Sequence, residues 1–355
     1  MHLSNVGNSR ALSIMHERQF SLYWVWGLLS DFAQWAQLAV QAWLILELTG
    51  SPAYLGLFAA CRFLPKVLLT PLAGVVADHV SRLRILRATQ TAMLIISLAL
   101  AFVFSGAGAI WTLLALNVLL GAVSAFEQPA SRALLPNLVE PKNLLYAVSL
   151  HNSAGSIGVI AGPVTAAFLL GATNGAGALY VSAGLFMLPL LPLMKMAGEA
   201  DRSEVVGKLS VGENFKEGLH YLYSTPLVAG LLLVSLFPGI LDRMFIMYLP
   251  LLTHHATSMA SCGGQWMPIV RGVGALTGAL AIAALGPMRI TGKGVMITGF
   301  ACTVSSALFI FMPFLILALA ILAIAGVLRA VLATLTTTML HSVVPDGVRG
   351  RVMAI

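Results

Sequence analysis

Ten long apolar runs follow one another along the chain and leave little room for a soluble fold. They lie at 22–47, 55–78, 84–105, 109–131, 145–170, 176–195, 226–252, 265–287, 294–312 and 315–339. About 20 apolar residues in a helix are enough to cross the hydrocarbon core of a bilayer. The runs lack the alternation typical of barrel strands, so we expect helices, the other form that spans membranes. The sequence therefore predicts an all-α polytopic membrane protein.

The composition supports this class and excludes several others. Of the 355 residues, 59% are hydrophobic and only 9% are charged, whereas soluble proteins average about 25% charged residues. This balance excludes a cytosolic enzyme, a disordered chain and a nucleic-acid-binding protein. The three cysteines are too few and too scattered for a disulfide framework or a metal site. The chain has no Gly-x-x-x-x-Gly-Lys-Ser/Thr phosphate loop, so we expect no direct use of ATP. Its eight histidines form no convergent metal or acid/base cluster, so we also expect no enzyme activity, no cofactor and no metal.

The basic residues predict the orientation of the chain in the membrane. With the N-terminus inside, 15 of the 20 lysines and arginines fall in inner segments, none falls in an outer loop, and the other five lie within the runs. Positive charge is enriched on the cytoplasmic side of membrane proteins. The sequence therefore predicts a multi-pass protein of the plasma membrane (the bacterial inner membrane), with residues 1–20 as a cytoplasmic tail.

The runs divide into two groups around one long charged segment. Residues 21–195 hold six runs, residues 196–225 form a predicted cytoplasmic loop, and residues 226–355 hold four runs and the start of a fifth. A shift of 204 residues aligns 138–141 with 342–345, and parallel half-repeats are a known transporter plan. We therefore expect two six-helix bundles, of which the second is incomplete, with about 10 of 12 spans present. A true ten-span protein is the alternative.

The first run carries an ionisable group near the middle of the membrane. Asp31 lies about 13 Å along this helix, and Gln34 continues its polar side. A carboxyl group at that depth can bind a proton in one facing state and release it in the other. Trp35 lies on the next turn, where it would pack in the core or form an aromatic wall for a lipophilic substrate. The sequence thus predicts a site for proton coupling or substrate contact.

Two cations in the second run extend this candidate site. Arg62 and Lys66 are four residues apart and share one helix face. Charges at this depth need a carboxylate, an anionic substrate or a water-filled cavity. A permanent ion pair with Asp31 is therefore the structural alternative to a role in coupling.

The loop after the second run resembles the signature loop of the major facilitator superfamily. It reads GVVADHVSRLR from Gly74 to Arg84, with a glycine, an aspartate four residues later and then a basic cluster. The resemblance implies a cytoplasmic gate in which Gly74 allows a close helix approach. In such a gate Asp78 would pair with Arg82 or with a neighbouring helix, and Arg84 would belong to the basic cluster.

The end of the fourth run adds two residues to this predicted gate. Glu127 lies at a depth where it could meet Arg82, and Arg132 follows within the segment PASRALLP at 129–136. We interpret Glu127 as part of the gate, and a proton carrier is the alternative.

Four short segments narrow the resemblance to one branch of the superfamily. They are LTGS at 48–51, RFLP at 62–65, PASRALLP at 129–136 and PDGVRGRV at 345–352. Together they are similar to the exporter branch that includes enterobactin and macrolide efflux proteins. The fifth run adds GVIAGP, whose Gly158, Gly162 and Pro163 resemble the Gly-x-x-x-Gly-Pro element of the antiporters. Ordinary packing of small residues would explain this element equally well.

The resemblance implies a function and its partners. It points to a monomeric secondary transporter that works by alternating access and exports a lipophilic small organic molecule, such as a drug, a macrolide-like compound or a siderophore. Protons would be the coupling ion, and the bilayer and the substrate would be the partners. The alternatives are uptake or lipid transport by the same fold, and a membrane sensor that transports nothing.

Overall fold

The computed structural model describes residues 14–106, 110–140, 143–196, 224–226, 230–241, 266–285, 291–310, 312 and 314–343. This part of the chain is helical and contains no strand. We number its α-helices α1 Arg18–Thr49, α2 Pro52–His79, α3 Arg82–Ser105, α4 Ile110–Leu134, α5 Leu144–Ala172, α6 Gly175–Gly184, α7 Leu190–Lys195, α8 Gly230–Leu241, α9 Trp266–Leu285, α10 Gly292–Ile310 and α11 Leu315–Val343.

The helices confirm the predicted membrane class. Seven described helical segments are long and apolar enough to cross a bilayer, and two shorter apolar helices lie at Gly230–Leu241 and Ile269–Ile282. α1 is not among the seven although it has 32 residues, because its serines, glutamines and Asp31 lower its mean hydropathy. Its length still exceeds the thickness of the hydrocarbon core. We therefore count α1 as a further membrane span, many of whose residues are buried inside the bundle.

The sixth predicted run differs in detail from a single helix. It comprises α6, a 3₁₀ segment Leu185–Met187 and α7. Pro189 and Pro192 lack a backbone N–H and cannot continue the hydrogen-bond ladder of the preceding turn. Two other predicted elements, most of the N-terminal tail and of the central loop, lie outside the described residues, as do the second half of the seventh run and the segment 344–355.

Turn and cap residues explain why the helices end where they do. α1 ends at Gly50, which has φ 61°, a conformation that glycine adopts without steric cost. Pro52 opens α2 at a position where no backbone donor is lost. The side chains of Ser81 and Asn174 cap α3 and α6 by accepting backbone N–H bonds from the first turn.

The first bundle has one basic end, which is the end predicted to be cytoplasmic. Arg18 and Arg82 open α1 and α3, while Arg132 and Lys195 close α4 and α7. We call this the basic end. The opposite end carries the small, uncharged turns around Gly50 and Gly106, and we call it the neutral end.

The bundle has an apolar exterior and a partly polar interior. Large apolar side chains on the outside are strongly exposed, including Phe102 and Phe168 at 72% each. Several polar side chains are buried inside, namely Ser30, Gln37, Gln90, Ser97, Asn117 and Glu127. This distribution suits a protein surrounded by lipid, where polar groups face the interior.

Close helix pairs recur in the two halves. A Cβ atom added at Gly121 of α4 would clash with the backbone carbonyl of Arg62 in α2. In the second half, a Cβ atom at Gly326 of α11 would clash with the carbonyl of Arg271 in α9. Glycine permits such contact because it has no side chain. The second and fourth helices of each half thus share one contact, as a half-repeat predicts.

The two halves meet through α5 and α9. Gly272 of α9 lies against the side chain of Ile160 of α5, so closely that a Cβ atom there would overlap it. On its other side α5 packs along the length of α1. The helix α5 thus contacts α9 on one side and Asp31 of α1 on the other.

Candidate functional site

Glu127 lies at the centre of a buried polar cluster between α1 and α4. Its Oε1 atom accepts a hydrogen bond of 2.6 Å from the Ser30 hydroxyl, and its Oε2 atom accepts one of 2.9 Å from Nε2 of Gln34. The Glu127 side chain is only 9% exposed and that of Ser30 only 1%. Both carboxylate oxygens are thus bound to side chains of α1.

The cluster extends to α3 through Gln90. The Ser30 hydroxyl lies 3.2 Å from Oε1 of Gln90, whose Nε2 atom donates to the backbone carbonyl of Phe186 at 3.3 Å. Gln37 lies two turns after Ser30 on α1, and its side chain is 1% exposed. Its two side-chain polar atoms are buried with no hydrogen bond to the described residues. The polar side of α1 is therefore directed into the bundle.

The side chain of Asp31 lies on a different face of α1 from Ser30 and Gln34, and it faces α5. A Cβ atom at Gly155 would lie 3.2 Å from Oδ2 of Asp31, and one at Gly158 would lie 2.9 Å from its Cβ. The structure thus divides the predicted stripe, because Gln34 faces α4 whereas Asp31 faces α5. Glu127 nevertheless binds residues 30 and 34, which flank Asp31, so the two carboxyl groups lie at the same level of α1.

The predicted antiporter element packs directly on the predicted coupling site. A Cβ atom at Gly162 would lie 2.5 Å from Cβ of Trp35 and 2.7 Å from the backbone nitrogen of Ala36. Pro163 lies inside α5, immediately after this contact. The sequence assigned Asp31 and this element to separate features, and the fold brings them together.

The two cations of α2 differ in burial. Arg62 is 5% exposed and its backbone carbonyl is covered by Gly121, whereas Lys66 is half-buried. The carbonyl of Lys66 accepts a hydrogen bond of 2.6 Å from the hydroxyl of Thr70. Both residues occupy the middle third of the helix.

The residues of the predicted gate lie at or near the basic end but do not all meet. Nη1 of Arg82 donates to the backbone carbonyl of Ala133 at 2.8 Å, which joins α3 to the end of α4. Arg84 and Arg132 are exposed, and Gly74 is half-buried in α2. Asp78 belongs to α2, but its side chain lies outside the described part.

Glu127, placed with the gate by its position in the sequence, has a different environment from the rest of that group. Its carboxylate accepts hydrogen bonds from Ser30 and Gln34 on α1, whereas the guanidinium of Arg82 donates to the carbonyl of Ala133. The rotation of α4 explains this difference, because Glu127 shares the α1-facing side with Ser131 four residues later.

A second polar group, missed at the level of sequence, lies one turn closer to the basic end. The Tyr23 hydroxyl lies 2.6 Å from Oγ of Ser131 and donates to its carbonyl at 3.1 Å. The Tyr23 ring packs on the imidazole of His151, with ring centroids 5.3 Å apart. A histidine that begins an apolar run was the available signal, as was a serine four residues after Glu127.

The arrangement can bind and move protons in a lipid-embedded interior. Two carboxyl groups, three glutamines, a tyrosine and a histidine lie within a few turns of α1, and none of them requires a metal ion for this chemistry. Among the described residues, histidine, cysteine and acidic side chains do not gather in threes that could hold a metal ion.

Comparison with known proteins gives a single family. Residues 23–355 match the sequence profile of the Major Facilitator Superfamily. The structure of the nucleoside transporter NupG aligns with a TM-score of 0.69 at 13% identity, covering 95% of this chain and 86% of NupG. At that identity the likeness concerns the fold alone.

Two curated relatives are exporters. The chain is 26% identical to the multidrug efflux pump Tap of Mycolicibacterium fortuitum over 330 residues, and this alignment covers 88% of this chain and 78% of Tap. It is 28% identical over 236 residues to the enterobactin exporter EntS of Shigella boydii serotype 18, which covers 65% of this chain and 55% of EntS. The resemblance to the drug and enterobactin exporter branch is thereby confirmed.

Proposed function

The chain belongs to the major facilitator superfamily, and we propose that it exports a lipophilic small organic molecule in exchange for protons. The substrate would be of the drug, macrolide-like or siderophore type, which is supported by the similarity to the multidrug efflux pump Tap and the enterobactin exporter EntS. In this proposal the basic end faces the cytoplasm, and the monomer alternates between inward-facing and outward-facing states.

One observation carries the proposal, namely two carboxyl groups at one level of α1 inside the bundle. Glu127 is buried and accepts bonds from Ser30 and Gln34, while Asp31 lies between these two residues in sequence and faces α5. A carboxylate is costly at membrane depth, and a proton removes that cost. The pair would therefore take up protons in one facing state and lose them in the other.

Protonation of Glu127 would change its bonds to α1. As a carboxylate it accepts from both Ser30 and Gln34, but as an acid one of its oxygens becomes a donor. The Gln34 amide nitrogen is itself a donor, so the proton would lie on Oε1 and donate to the Ser30 hydroxyl, which would then donate to Oε1 of Gln90 at 3.2 Å. A proton on Glu127 thus alters the contact between α1 and α4.

The helix contacts would pass such a change to the boundary between the halves. α1 packs on α5 through Gly158 and Gly162, and α5 packs on α9 at Ile160 and Gly272. A shift of α1 against α5 would therefore act on the surface along which the second bundle moves. The bond from Arg82 to Ala133 would close the basic end in the outward-facing state, together with the neighbouring residues Gly74, Asp78, Arg84 and Arg132.

Substrate movement in membrane vesicles tests this proposal. In everted vesicles that contain the full chain, an inward-acid pH gradient should drive accumulation of ethidium or erythromycin, and right-side-out vesicles should not accumulate them. Asp31→Asn and Glu127→Gln should each abolish the gradient-driven part, because neither amide binds a proton. Glu47→Gln, on the exposed end of α1, is the matched control and should transport normally.

Three results would count against the proposal. Accumulation in right-side-out vesicles alone would indicate uptake. Transport that ignores the pH gradient in the wild-type chain would remove protons as the coupling ion. Normal gradient-driven transport in both Asp31→Asn and Glu127→Gln would remove the carboxyl pair from coupling.

A further inference from the structure

Two ionisable side chains lie one turn apart along the contact between α1 and α5, and each faces a glycine of the other helix. Oδ2 of Asp31 lies beside Gly155, such that an added Cβ atom would be 3.2 Å away. Nδ1 of His151 lies beside Gly27, where an added Cβ atom would be 3.5 Å away. Gly155 follows His151 by four residues, and Asp31 follows Gly27 by four, so both pairs share one face.

The two glycines add no side chain beside Asp31 and His151. The two groups are offset by four residues, which is about 6 Å along a helix axis, so a contact between them requires a bridging water molecule. Any larger residue at position 27 or 155 would occupy the space beside these groups. The close approach of α1 and α5 alone would be met by Gly158 and Gly162, which are the tighter contacts.

The imidazole of His151 is held in place but retains a polar atom with no hydrogen bond to the described residues. Tyr23 packs on the ring at 5.3 Å, and the bonds of its own hydroxyl to Ser131 hold it in that position. Nδ1 of His151 is fully buried and has no hydrogen-bond partner in the described part of the chain. A buried polar group without a partner is costly. This cost favours a function in which the atom binds a proton or a water molecule.

We propose that His151 carries protons between Asp31 and the basic end of the bundle. This inference rests on the proposed antiport. In the inward-facing state the Asp31 carboxylic acid gives its proton through one water molecule to the imidazole, which leaves a carboxylate and an imidazolium. The imidazolium then releases the proton to water at the basic end and returns to its neutral form.

The groups that act on the imidazole come from every helix around it. Tyr23 packs on it from α1, where Asp31 lies one turn away beside Gly155, and Arg132 acts on it electrostatically from α4. On α9, Arg271 adjoins the residue that contacts Ile160, about 13 Å further along α5. Tyr180 on α6 is exposed. Asp31 is thus the acidic group nearest to His151 along the α1–α5 contact.

The experiment separates proton release from substrate binding. The full chain is reconstituted in liposomes, and ethidium movement is measured as gradient-driven accumulation and as counterflow without a pH gradient. His151→Gln should slow gradient-driven accumulation at least about tenfold, because general acid–base groups contribute at this scale or above. Counterflow should be unchanged, because exchange of substrate for substrate requires no net proton release.

Matched variants distinguish this role from a structural one. His16→Gln, in the exposed segment before α1, should behave like the wild-type chain in both measurements. Tyr23→Phe keeps the ring but loses the Ser131 bonds, so it should show a smaller defect in the gradient-driven measurement alone. The pH dependence of accumulation should change in His151→Gln and should remain that of the wild-type chain in His16→Gln.

The outcomes are distinct. Equal loss of accumulation and counterflow in His151→Gln would indicate a packing role and overturn the inference. Normal accumulation in this variant would overturn it as well. If Asp31→Asn and Glu127→Gln both remain coupled, the proposed antiport itself fails; if they lose coupling while His151→Gln does not, only the relay fails.

Discussion

Ser30 is a small residue whose hydroxyl contacts the buried side chains of Glu127 and Gln90. Its hydroxyl donates to Glu127 at 2.6 Å and lies 3.2 Å from Gln90, so it joins α1 to α4 and α3 at once. Serine is common within apolar helices, so its residue type does not mark it as part of a site. Its position one residue before Asp31 was the only local signal.

Removing this hydroxyl should weaken the cluster. Ser30→Ala leaves a buried carboxylate oxygen without its short bond, and an unmet bond of this kind costs about 1–3 kcal/mol. We expect a lower melting temperature of the detergent-purified protein and slower gradient-driven transport. Ser105→Ala is the control, because the Ser105 hydroxyl only bonds the carbonyl of Ala101 in its own helix. Equal melting temperatures for the two variants would show that the bond does not stabilise the bundle.

At the scale of helices, the contact between α1 and α5 determines how the site is assembled. Gly158 and Gly162 of α5 approach Asp31 and Trp35 so closely that a Cβ atom at either position would force a shift, and Gly155 lies beside the Asp31 carboxyl group. Gly-x-x-x-Gly spacing places two of them on one face, and small residues favour close helix association in lipid. The predicted antiporter element thus has a packing role, which the proposed coupling role would use.

A methyl group in this contact should separate the two helices. Gly162→Ala would place a Cβ atom 2.5 Å from Cβ of Trp35, and the helices must move apart to accept it. Overpacking of this kind costs about 1–3 kcal/mol, so the melting temperature should fall and transport should slow. Gly171→Ala lies on the same helix where nothing is within 4 Å, and it should have neither effect. Indistinguishable melting curves for the two alanine variants would refute the tight contact.

At the scale of the whole molecule, the distribution of charge and the fold agree on a common basic end. Helices α1, α3, α4 and α7 bring their arginines and lysines to that end, while the turns at the neutral end carry none. In each half a glycine also lies against an arginine backbone carbonyl, Gly121 against Arg62 and Gly326 against Arg271. Which end faces the cytoplasm follows from the positive-inside rule alone.

Cysteine labelling in intact cells tests that orientation. In a variant in which the three native cysteines are replaced by serine, Val80→Cys at the basic end should react with a membrane-impermeant maleimide only after permeabilisation. Ser51→Cys at the neutral end should react in intact cells, because its turn would face outside. The opposite pattern would reverse the topology and, with it, the direction proposed for proton release.

Much of the fold was accessible from the sequence, and much of the site was not. Apolar runs predicted the positions of α1 to α5 to within a few residues, since a helix must be long enough to cross the membrane. The sixth run was predicted as one helix because its hydropathy is continuous. Pro189 and Pro192 interrupt its backbone hydrogen bonds without lowering that hydropathy enough to show a break. Asp31, Glu127 and the glycines of α5 were recognised, but their mutual contacts were not.

Hydropathy, charge and short motifs already establish the membrane class, the series of helices, a common side for the basic residues and the resemblance to the superfamily. These are local properties of the chain. The contacts of Glu127 with Ser30 and Gln34, of Asp31 with Gly155 and of His151 with Gly27 emerge only when the helices are packed together. Helical periodicity tells which residues share a face, but the rotation of each helix and the neighbour it meets depend on packing across the whole bundle.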